Sequence, residues 1–260
     1  MRIAIFSDIH DNVLGFEKML LDAERRNADQ FINLGDVGTH PAIFEALRQK
    51  EIPCLYGNWE VNGWRRLPEQ LGEWVASWPA TLSLSSLSSL ASGHGQADEA
   101  QLDKPISDKK MLDAKRADAT DANVVFCHAT PDMPTQATTT AQMETYLRQG
   151  THWLSVFPRL HKNEEAVWNA LATLEEQNIR AAFHGHTHIQ MVWSWKSNPQ
   201  SQRQLRSFYG PTELFLEPGT SEAPSRYLIG VGSCGEPRDG DRPRYALYDT
   251  ETESVALYVV

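Results

Sequence analysis

The first sixty residues alternate between short apolar runs and amphipathic segments. The runs Arg2–Ser7, Gln30–Leu34 and Ile52–Tyr56 have the β-branched, apolar character of buried strands. Between them, the segments that begin near Asn12 and at Ala42 carry apolar residues at helical spacing. Strands separated by helices pair in parallel through right-handed crossovers. The sequence therefore predicts an α/β fold in which the carboxyl ends of these strands share one edge.

Polar side chains follow five of the predicted strands, at the point where each strand ends. Functional groups of parallel sheets gather beyond the carboxyl ends of the strands. Two further strands, Asn123–Cys127 and Ile179–Phe183, add histidines to this edge. The candidate ligands are Asp8, His10, Asp36, Asn58, His128, His186 and His188.

The stretch FHGHTHIQ is the densest cluster of histidines in the chain. His186 and His188 are two residues apart at a strand end, where alternate side chains point the same way and two imidazoles can reach one site. A surface loop that collects histidines by chance is the alternative. For His184 we favour a packed, hydrogen-bonded residue over an extra ligand, because burial of histidine is common.

Seven nitrogen and oxygen donors exceed the three or four that a single ion takes from a protein. They suit two ions that share one carboxylate, and Asp36 is the natural bridge. Imidazole, carboxylate and amide donors without thiolate favour Mn, Fe, Zn, Co or Ni, as divalent or trivalent ions, and among these we favour Mn. Two ions about 3.5–4 Å apart lower the pKa of a bridging water. The implied chemistry is attack of a metal-bridging hydroxide on phosphorus.

The remaining segments predict more helices, a second set of strands and an insertion. Ser85–Asp121 is rich in serine and then in charge, which predicts a flexible surface insertion that contains a solvated His94. Ser197–Gln204 is predicted to be a polar loop. The all-β tail suggests a second sheet packed on the first. Helical segments are Trp64–Ser77, part of Thr135–Gly150, and Asn163–Gln177; strands are Leu82–Leu84, Met191–Trp195, Leu214–Leu216, Tyr227–Val231, Arg244–Tyr248 and Val255–Val259.

Charge and cysteine content restrict the partners. The net charge of -10 gives no sign of a nucleic-acid scaffold role or of binding to an anionic membrane. No apolar run approaches the length of a membrane span or of a signal peptide. The three cysteines are scattered, which fits a reducing compartment. These features predict a cytoplasmic protein.

The strand-end motifs resemble those of the calcineurin-like metallophosphoesterase superfamily, whose pattern is D-x-H, G-D, G-N-H-D/E, a lone histidine and G-H-x-H. The likeness extends to its small prokaryotic phosphodiesterase branch: SDIHDN resembles SDIHGN, and the stretch around His128 resembles HGSP. This chain carries, in order, Asp8-Ile9-His10, Gly35-Asp36, Gly57-Asn58-Trp59-Glu60, His128 and Gly185-His186-Thr187-His188, and its Gly232-Ser233-Cys234-Gly235-Glu236-Pro237-Arg238-Asp239 resembles GSVGQPRD.

The resemblance implies a single metallophosphoesterase domain over residues 1–260 with a four-layer α/β/β/α sandwich, two mixed sheets flanked by helices. It assigns two overlapping sets of ligands, which share Asp36. One ion takes Asp8, His10, Asp36 and His188, and the other takes Asp36, Asn58, His128 and His186.

Departures from the pattern bear on the substrate contacts. Trp59 stands where the superfamily usually has a histidine that contacts phosphate, and we expect the indole to stack on a nucleobase or to cover the core. His40 reaches phosphate or only shapes its loop. The resemblance places Arg238 near the site. Other histidines, among them His152 and His161, are predicted to be surface residues.

These features predict a metal-dependent phosphoesterase acting on a small phosphodiester or a dinucleoside polyphosphate. A phosphomonoesterase is the rival enzyme. A scaffold is the rival from another class, since one trafficking subunit of the superfamily keeps the fold and works by binding partners. A scaffold is free to lose ligands, whereas all seven positions hold competent donors here. The oligomeric state stays open.

Overall fold

The structure is a computed structural model that describes residues 1–91, 123–197, 203–217, 219 and 224–260. The predicted insertion is described only as far as residue 91, within a helix, and its remaining residues lie outside the described part of the chain. Among the helices described, none combines the length and apolar character that crossing a membrane requires.

Two mixed sheets form the centre of the fold. The first has the strand order β2-β1-β10-β11-β8 and the second the order β3-β4-β5-β9-β6-β7. Strands β1 and β2 pair in parallel, as do β4 with β5 and β5 with β9, while the other pairs are antiparallel. The strands are β1 Arg2–Phe6, β2 Gln30–Asn33, β3 Thr81–Ser83, β4 Val124–Cys127, β5 Ala181–His184, β6 Gln190–Ser197, β7 Arg203–Tyr209, β8 Glu213–Phe215, β9 Ser225–Val231, β10 Arg244–Asp249 and β11 Ser254–Val259.

Helices cover the outer faces of both sheets. Asn12 caps α1 by accepting a hydrogen bond from the Gly15 amide (2.9 Å), and Pro41 opens α2, as the sequence predicts. The helices are α1 Val13–Arg25, α2 Pro41–Gln49, α3 Asn58–Gly63, α4 Glu69–Ala76, α5 Leu84–Ala91, α6 Thr140–Arg148, α7 Trp153–Val156 and α8 Glu164–Glu176, with short 3-10 helices at Trp64–Arg66 and Leu160–Lys162.

Three apolar clusters define four layers. The alternation of side chains along β1 sends Ile3 and Ile5 to one face of the sheet and Ala4 and Phe6 to the other. The first face packs against the second sheet, and the other packs against α1 and α2. The opposite face of the second sheet packs against α8, for example through Leu171. The four-layer sandwich with two mixed sheets is therefore confirmed.

Three predicted elements differ from the structure because of local chemistry. Ile52–Tyr56 is not a strand but makes one parallel bridge, between Cys54 and Asn33, since Pro53 has no N–H to continue a ladder. Pro68 divides the predicted helix Trp64–Ser77 into a 3-10 turn and α4.

The third difference concerns the predicted loop Ser197–Gln204. Ser197 ends β6, and Arg203 and Gln204 begin β7, which pairs with β6 as an antiparallel hairpin. The tail also does not build a sheet of its own. Strands β8, β10 and β11 complete the first sheet, while β6, β7 and β9 complete the second.

Candidate metal centre

Left-handed backbone turns carry five of the predicted ligands at the strand ends. Asp8, His10, Asp36, His186 and His188 have φ angles of 57°, 47°, 59°, 61° and 59°. This region is uncommon for residues other than glycine and costs free energy, and such residues cluster at functional sites. The turns bend the chain sharply beyond each strand, so that consecutive ligands face the same point.

Asp8, His10 and His188 form the first group. Their ligand atoms all lie within 4.8 Å of one another. The Nε2 atom of His188 lies 3.2 Å from Oδ1 of Asp8 and 3.1 Å from Nε2 of His10. The other carboxylate oxygen of Asp8 accepts a hydrogen bond from the amide of His186 (2.9 Å). Asp8 therefore joins the loop after β1 to the loop after β5.

Asp36, His128 and His186 form the second group, again within 4.8 Å of one another. The Nε2 atom of His128 lies 3.5 Å from Oδ2 of Asp36 and 3.3 Å from Oδ1 of Asn58. Asn58 is the first residue of α3, so its amide oxygen faces the same point as the second group.

Asp36 lies between the two groups. Its Oδ2 atom is 3.5 Å from Nε2 of His128 in one group and 3.8 Å from Nε2 of His10 in the other. Its Oδ1 atom accepts a hydrogen bond from the amide of Trp59 (2.7 Å). All seven predicted ligands are thus brought together around one carboxylate.

Backbone carbonyls orient three of the histidine rings. A carbonyl accepts from the N–H of one ring nitrogen, which fixes the tautomer and leaves the lone pair on the other nitrogen. The atom pairs are His128 Nδ1 with the Leu34 carbonyl at 2.9 Å, His186 Nε2 with the Phe157 carbonyl at 3.0 Å, and His188 Nδ1 with the Glu236 carbonyl at 2.7 Å.

Burial and opposite charge shift the pKa values of these side chains. Burial raises the pKa of Asp8, but the imidazole rings of His10 and His188 beside its carboxylate outweigh burial and hold that pKa well below its ordinary value. Burial lowers the pKa of His128, but the charge of Asp36 raises it more, to about 9. Burial lowers the pKa of His186 to about 3. Negative charge is therefore fixed at the centre, and a bound cation would displace the proton from His128.

Glu60 holds the two loops that carry Asp36 and Asn58. Its carboxylate is almost fully buried and accepts hydrogen bonds from the amides of Asp36 (2.8 Å), Val37 (2.8 Å) and Gly57 (2.7 Å). Burial, and then the charge of Asp36, raise the pKa of Glu60. The side chain that follows Trp59 is thus a support for the ligands and lies behind them.

Two glycines let the loops approach closely. A Cβ atom at Gly57 would collide with Oδ1 of Asp36 and Cε1 of His128. One at Gly185 would collide with the side chains of Ser7 and Asp8. The G-N and G-H motifs therefore carry glycine because no side chain fits between the loops.

The residues present fit a pair of metal ions. Oδ1 of Asp8 is buried and accepts no hydrogen bond from the described residues, which is costly for a carboxylate oxygen unless a cation lies beside it. Carboxylate, imidazole and amide donors form the ligand set that Mn, Fe, Zn, Co and Ni prefer. The two groups would hold the ions, with Asp36 reaching both.

The predicted substrate residues lie around this centre in different ways. Trp59 is 43% exposed, and its ring meets the ring of His10 edge to face at 5.3 Å, so it is no lid on the core. Arg238 is exposed, and its amide donates to the His188 carbonyl (2.9 Å). The ring of His40 accepts from the Ala42 amide (3.3 Å) and caps α2.

The other histidines divide into two buried or half-buried residues and one surface residue. His184 is fully buried in β5, with Nδ1 at 3.0 Å from the Gly185 carbonyl, and belongs to neither group; burial lowers its pKa to about 4. His152 is exposed and caps α7. The surface placement predicted for His161 is wrong, because its ring is half-buried and its Nδ1 atom is buried. His94 lies outside the described residues.

Comparison with known proteins agrees with this geometry. The family model of the calcineurin-like phosphoesterase superfamily domain matches residues 1–253. The chain belongs to the calcineurin-like phosphoesterase superfamily. Its members are metal-dependent phosphoesterases, and the two ligand groups are candidate metal sites in this member.

One solved structure shows the same fold, and two others match over the whole chain with lower scores. A metallophosphoesterase from Sphaerobacter thermophilus is 21% identical, with a TM-score of 0.60 over 100% of this chain and 88% of that one. A novel archaeal phosphodiesterase (14% identity, TM-score 0.46) and the phosphoesterase Yfce from E. coli (13%, 0.40) each match over 100% of both chains. A search among curated proteins found no match.

Proposed function

We propose that this member of the superfamily is a dinuclear metal-dependent phosphoesterase that hydrolyses a small phosphodiester or a dinucleoside polyphosphate. The observation that carries the proposal is the place of Asp36. One of its oxygens lies within 4 Å of His10 in the first ligand group and of His128 in the second. A shared carboxylate is what a pair of ions needs, and a single ion would leave one group without a cation.

The ions and the protein side chains have different roles in this proposal. Bound there, two ions supply positive charge against the phosphoryl oxygens and a water of lowered pKa. The protein keeps the ligands in place through Glu60 and through carbonyls such as that of Phe157, so the site needs little rearrangement when substrate arrives. The exposed face of Trp59 offers a surface on which a base or an aryl group stacks.

The indole at position 59 also limits the leaving group. An indole N–H donates a hydrogen bond but does not give up its proton. Glu60 cannot serve instead, because its carboxylate faces three backbone amides away from the open side. A substrate whose leaving group is already acidic needs no proton donor. Aryl diesters and polyphosphates meet this condition, and simple alkyl esters do not.

Hydrolysis assays on metal-depleted and Mn-loaded protein test the proposal. We expect turnover of bis(p-nitrophenyl) phosphate that disappears with chelator, returns with Mn, and exceeds turnover of p-nitrophenyl phosphate. A higher rate on the monoester would make the protein a phosphomonoesterase. No turnover of any ester at full metal occupancy would favour the scaffold.

Manganese as the working ion and a cytoplasmic location belong to the same proposal. Manganese is motivated by the ligand set of carboxylate, imidazole and amide donors without thiolate. The location is motivated by the cysteines, Cys54, Cys127 and Cys234, which are all buried thiols whose pKa burial raises. Elemental analysis of protein purified without added metal would identify the ion.

A further inference from the structure

Four basic residues lie beside the ligand cluster, on two segments that the sequence places far apart. We call Arg159, His161, Lys162 and Arg238 the basic rim. Arg159, Lys162 and Arg238 are exposed, and His161 is half-buried. Three of these side chains, those of Arg159, Lys162 and Arg238, are permanently cationic in a chain whose net charge is -10.

Two contacts fix these segments against the ligands. The carbonyl of Phe157 bonds the His186 ring (3.0 Å), and the Phe157 ring meets those of His186 and His128 with centroids 6.0 Å apart in each case. Arg159 and His161 follow within four residues, around a 3-10 turn. On the other segment, the amide of Arg238 bonds the carbonyl of His188. Each segment therefore contacts a histidine of the metal centre, and the basic residues lie beside these contacts.

His161 connects the two segments electrostatically. Burial lowers its pKa, and the positive charges of Lys162, Arg159 and Arg238 and the ring of His188 lower it further. The ring thus lies close enough to Arg238 and His188 for their charges to contribute to its lowered pKa. Its Nδ1 atom is buried and has no hydrogen-bond partner within the described ranges, which is unusual for a buried polar atom.

Two acidic side chains near Arg238 interact with other groups. Asp239 pairs with Arg244 (3.1 Å) and accepts from the Gln190 amide (2.9 Å). The charge of Glu236 acts on His10, on the side of the first ligand group. Within the part of the chain that the structure describes, the rim thus offers three cationic side chains and a buried ring nitrogen without a partner.

We propose that the basic rim is a subsite for a second, non-reacting phosphate, so that the preferred substrates contain a phosphoanhydride linkage. This inference rests on the proposed function and names its substrate class. A pair of ions clamps one phosphoryl group, and the arginines suit a neighbouring phosphate because a guanidinium donates two hydrogen bonds to it. His161 donates one N–H even when its ring is neutral.

The reaction balances with water alone. The water oxygen forms a bond to the phosphorus at the ligand cluster, and the bond from that phosphorus to the bridging oxygen breaks. The electron pair leaves with the second phosphate, on the basic rim, and the protons of the water pass to solvent. A phosphate leaves as an anion, so the lack of an acid at Trp59 is no obstacle.

Binding of two unreactive probes to Mn-loaded protein tests the subsite. Methylenediphosphonate carries two phosphoryl groups and methylphosphonate carries one, so calorimetry on both isolates the second group. We expect the diphosphonate to bind about tenfold more tightly or better, since one charge-assisted contact contributes about 1.5–3 kcal/mol. The preference should weaken at high salt. Elemental analysis before and after titration checks that the probe does not remove the metal.

The variants locate the effect. In Arg159→Gln/Lys162→Gln/Arg238→Gln the preference for the diphosphonate should fall to about twofold or less, and His161→Gln should remove part of it. The matched control is Arg25→Gln, which removes an exposed charge at the far end of α1 from the site. A preference unchanged in the rim variants, or reduced as much in the control, would overturn the subsite. The ratio of turnover of a dinucleoside polyphosphate to that of bis(p-nitrophenyl) phosphate should fall in parallel.

The two proposals fail separately. If metal-loaded protein cleaved no ester but still lost its diphosphonate preference in the rim variants, the anion subsite would stand and the phosphoesterase proposal would be wrong. If esters were cleaved while the rim variants kept the preference, the reverse would hold.

Discussion

Asp8, Asp36 and His128 are almost completely buried, whereas Arg159 and Arg238, which lie beside them, are exposed. Each buried ligand is held by backbone hydrogen bonds or by charges from more than one loop. As far as the structure describes the chain, the side chain of Arg238 has no such support, and its contact with the centre is made by its backbone amide. The protein thus combines a rigid ligand cluster with an adaptable rim. Changes in the cluster should affect metal and catalysis together, and changes in the rim should affect substrate preference.

The largest effect is expected from Asp36→Asn. The change keeps the acceptor for the Trp59 amide (2.7 Å) but removes the negative charge that both ligand groups share. Turnover should fall by more than about 100-fold, beyond the 10–100-fold typical of outer residues, and metal occupancy should drop. Kinetics and elemental analysis on one preparation check both. Turnover within about threefold of wild type would contradict the role of Asp36 as the bridge.

Glu60→Gln should come next, with a loss of about 10–100-fold in metal affinity. Glutamine places an N–H₂ group against backbone amides that need an acceptor, so the loops of Asp36 and Gly57 should shift. Glu144→Gln is the matched control, because Glu144 is also buried but bonds the side chains of Trp64 and Arg65. Metal titration should show a loss of metal affinity in Glu60→Gln and none in Glu144→Gln. An equal loss of metal affinity in both variants would contradict a specific role of Glu60.

Trp59→His should change selectivity by about 10²-fold or less, the lower end of what a positioned acid contributes. We expect faster turnover of alkyl diesters relative to aryl diesters, because imidazole can protonate an alkoxide and indole cannot. Rates for a series of leaving groups check this, and metal occupancy should stay constant. A wild-type rate that is insensitive to leaving-group pKa, under conditions where chemistry limits it, would mean that another residue supplies the proton.

The smallest effect is expected from Asp22→Asn, far from the cluster. Burial raises the pKa of Asp22, but hydrogen bonds from Arg26 and Tyr245 outweigh this and lower it. A depressed pKa contributes stability above about pH 3.8 that is lost as the pH falls through the folded-state value. The variant should lose less than about 1 kcal/mol at pH 7 and show a flatter acid limb. Urea unfolding at several pH values measures this. Altered metal binding in Asp22→Asn would contradict the claim that Asp22 acts independently of the ligand cluster.

The seven ligands could be predicted from sequence because a simple rule places them. Each follows a buried strand or, for Asn58, a short parallel bridge, and strand ends of an α/β sheet meet at one edge. The sequence does not predict the left-handed turns at Asp8 and His186, because an aspartate or a histidine does not by itself indicate a positive φ. Their role emerges only when the loops pack together.

The missed features depend on contacts between distant segments. The sequence predicts a loop where β7 begins, because β7 is an edge strand with little buried apolar surface and lacks the pattern of a core strand. His161 lies within the 3-10 turn Leu160–Lys162, shortly after Phe157, whose ring packs against those of His128 and His186. No local spacing links His161 to the cluster, and two basic residues around a histidine form an ordinary surface pattern.

The central claim is that the buried ligand cluster holds two ions through one shared carboxylate. Titration of metal-free protein with Mn, followed by paramagnetic resonance, tests it most directly, because two ions about 3.5–4 Å apart couple magnetically. The account predicts two ions per chain and a coupled spectrum, both reduced in Asp36→Asn. A single ion at saturation, or two uncoupled ions in the wild type, would contradict it.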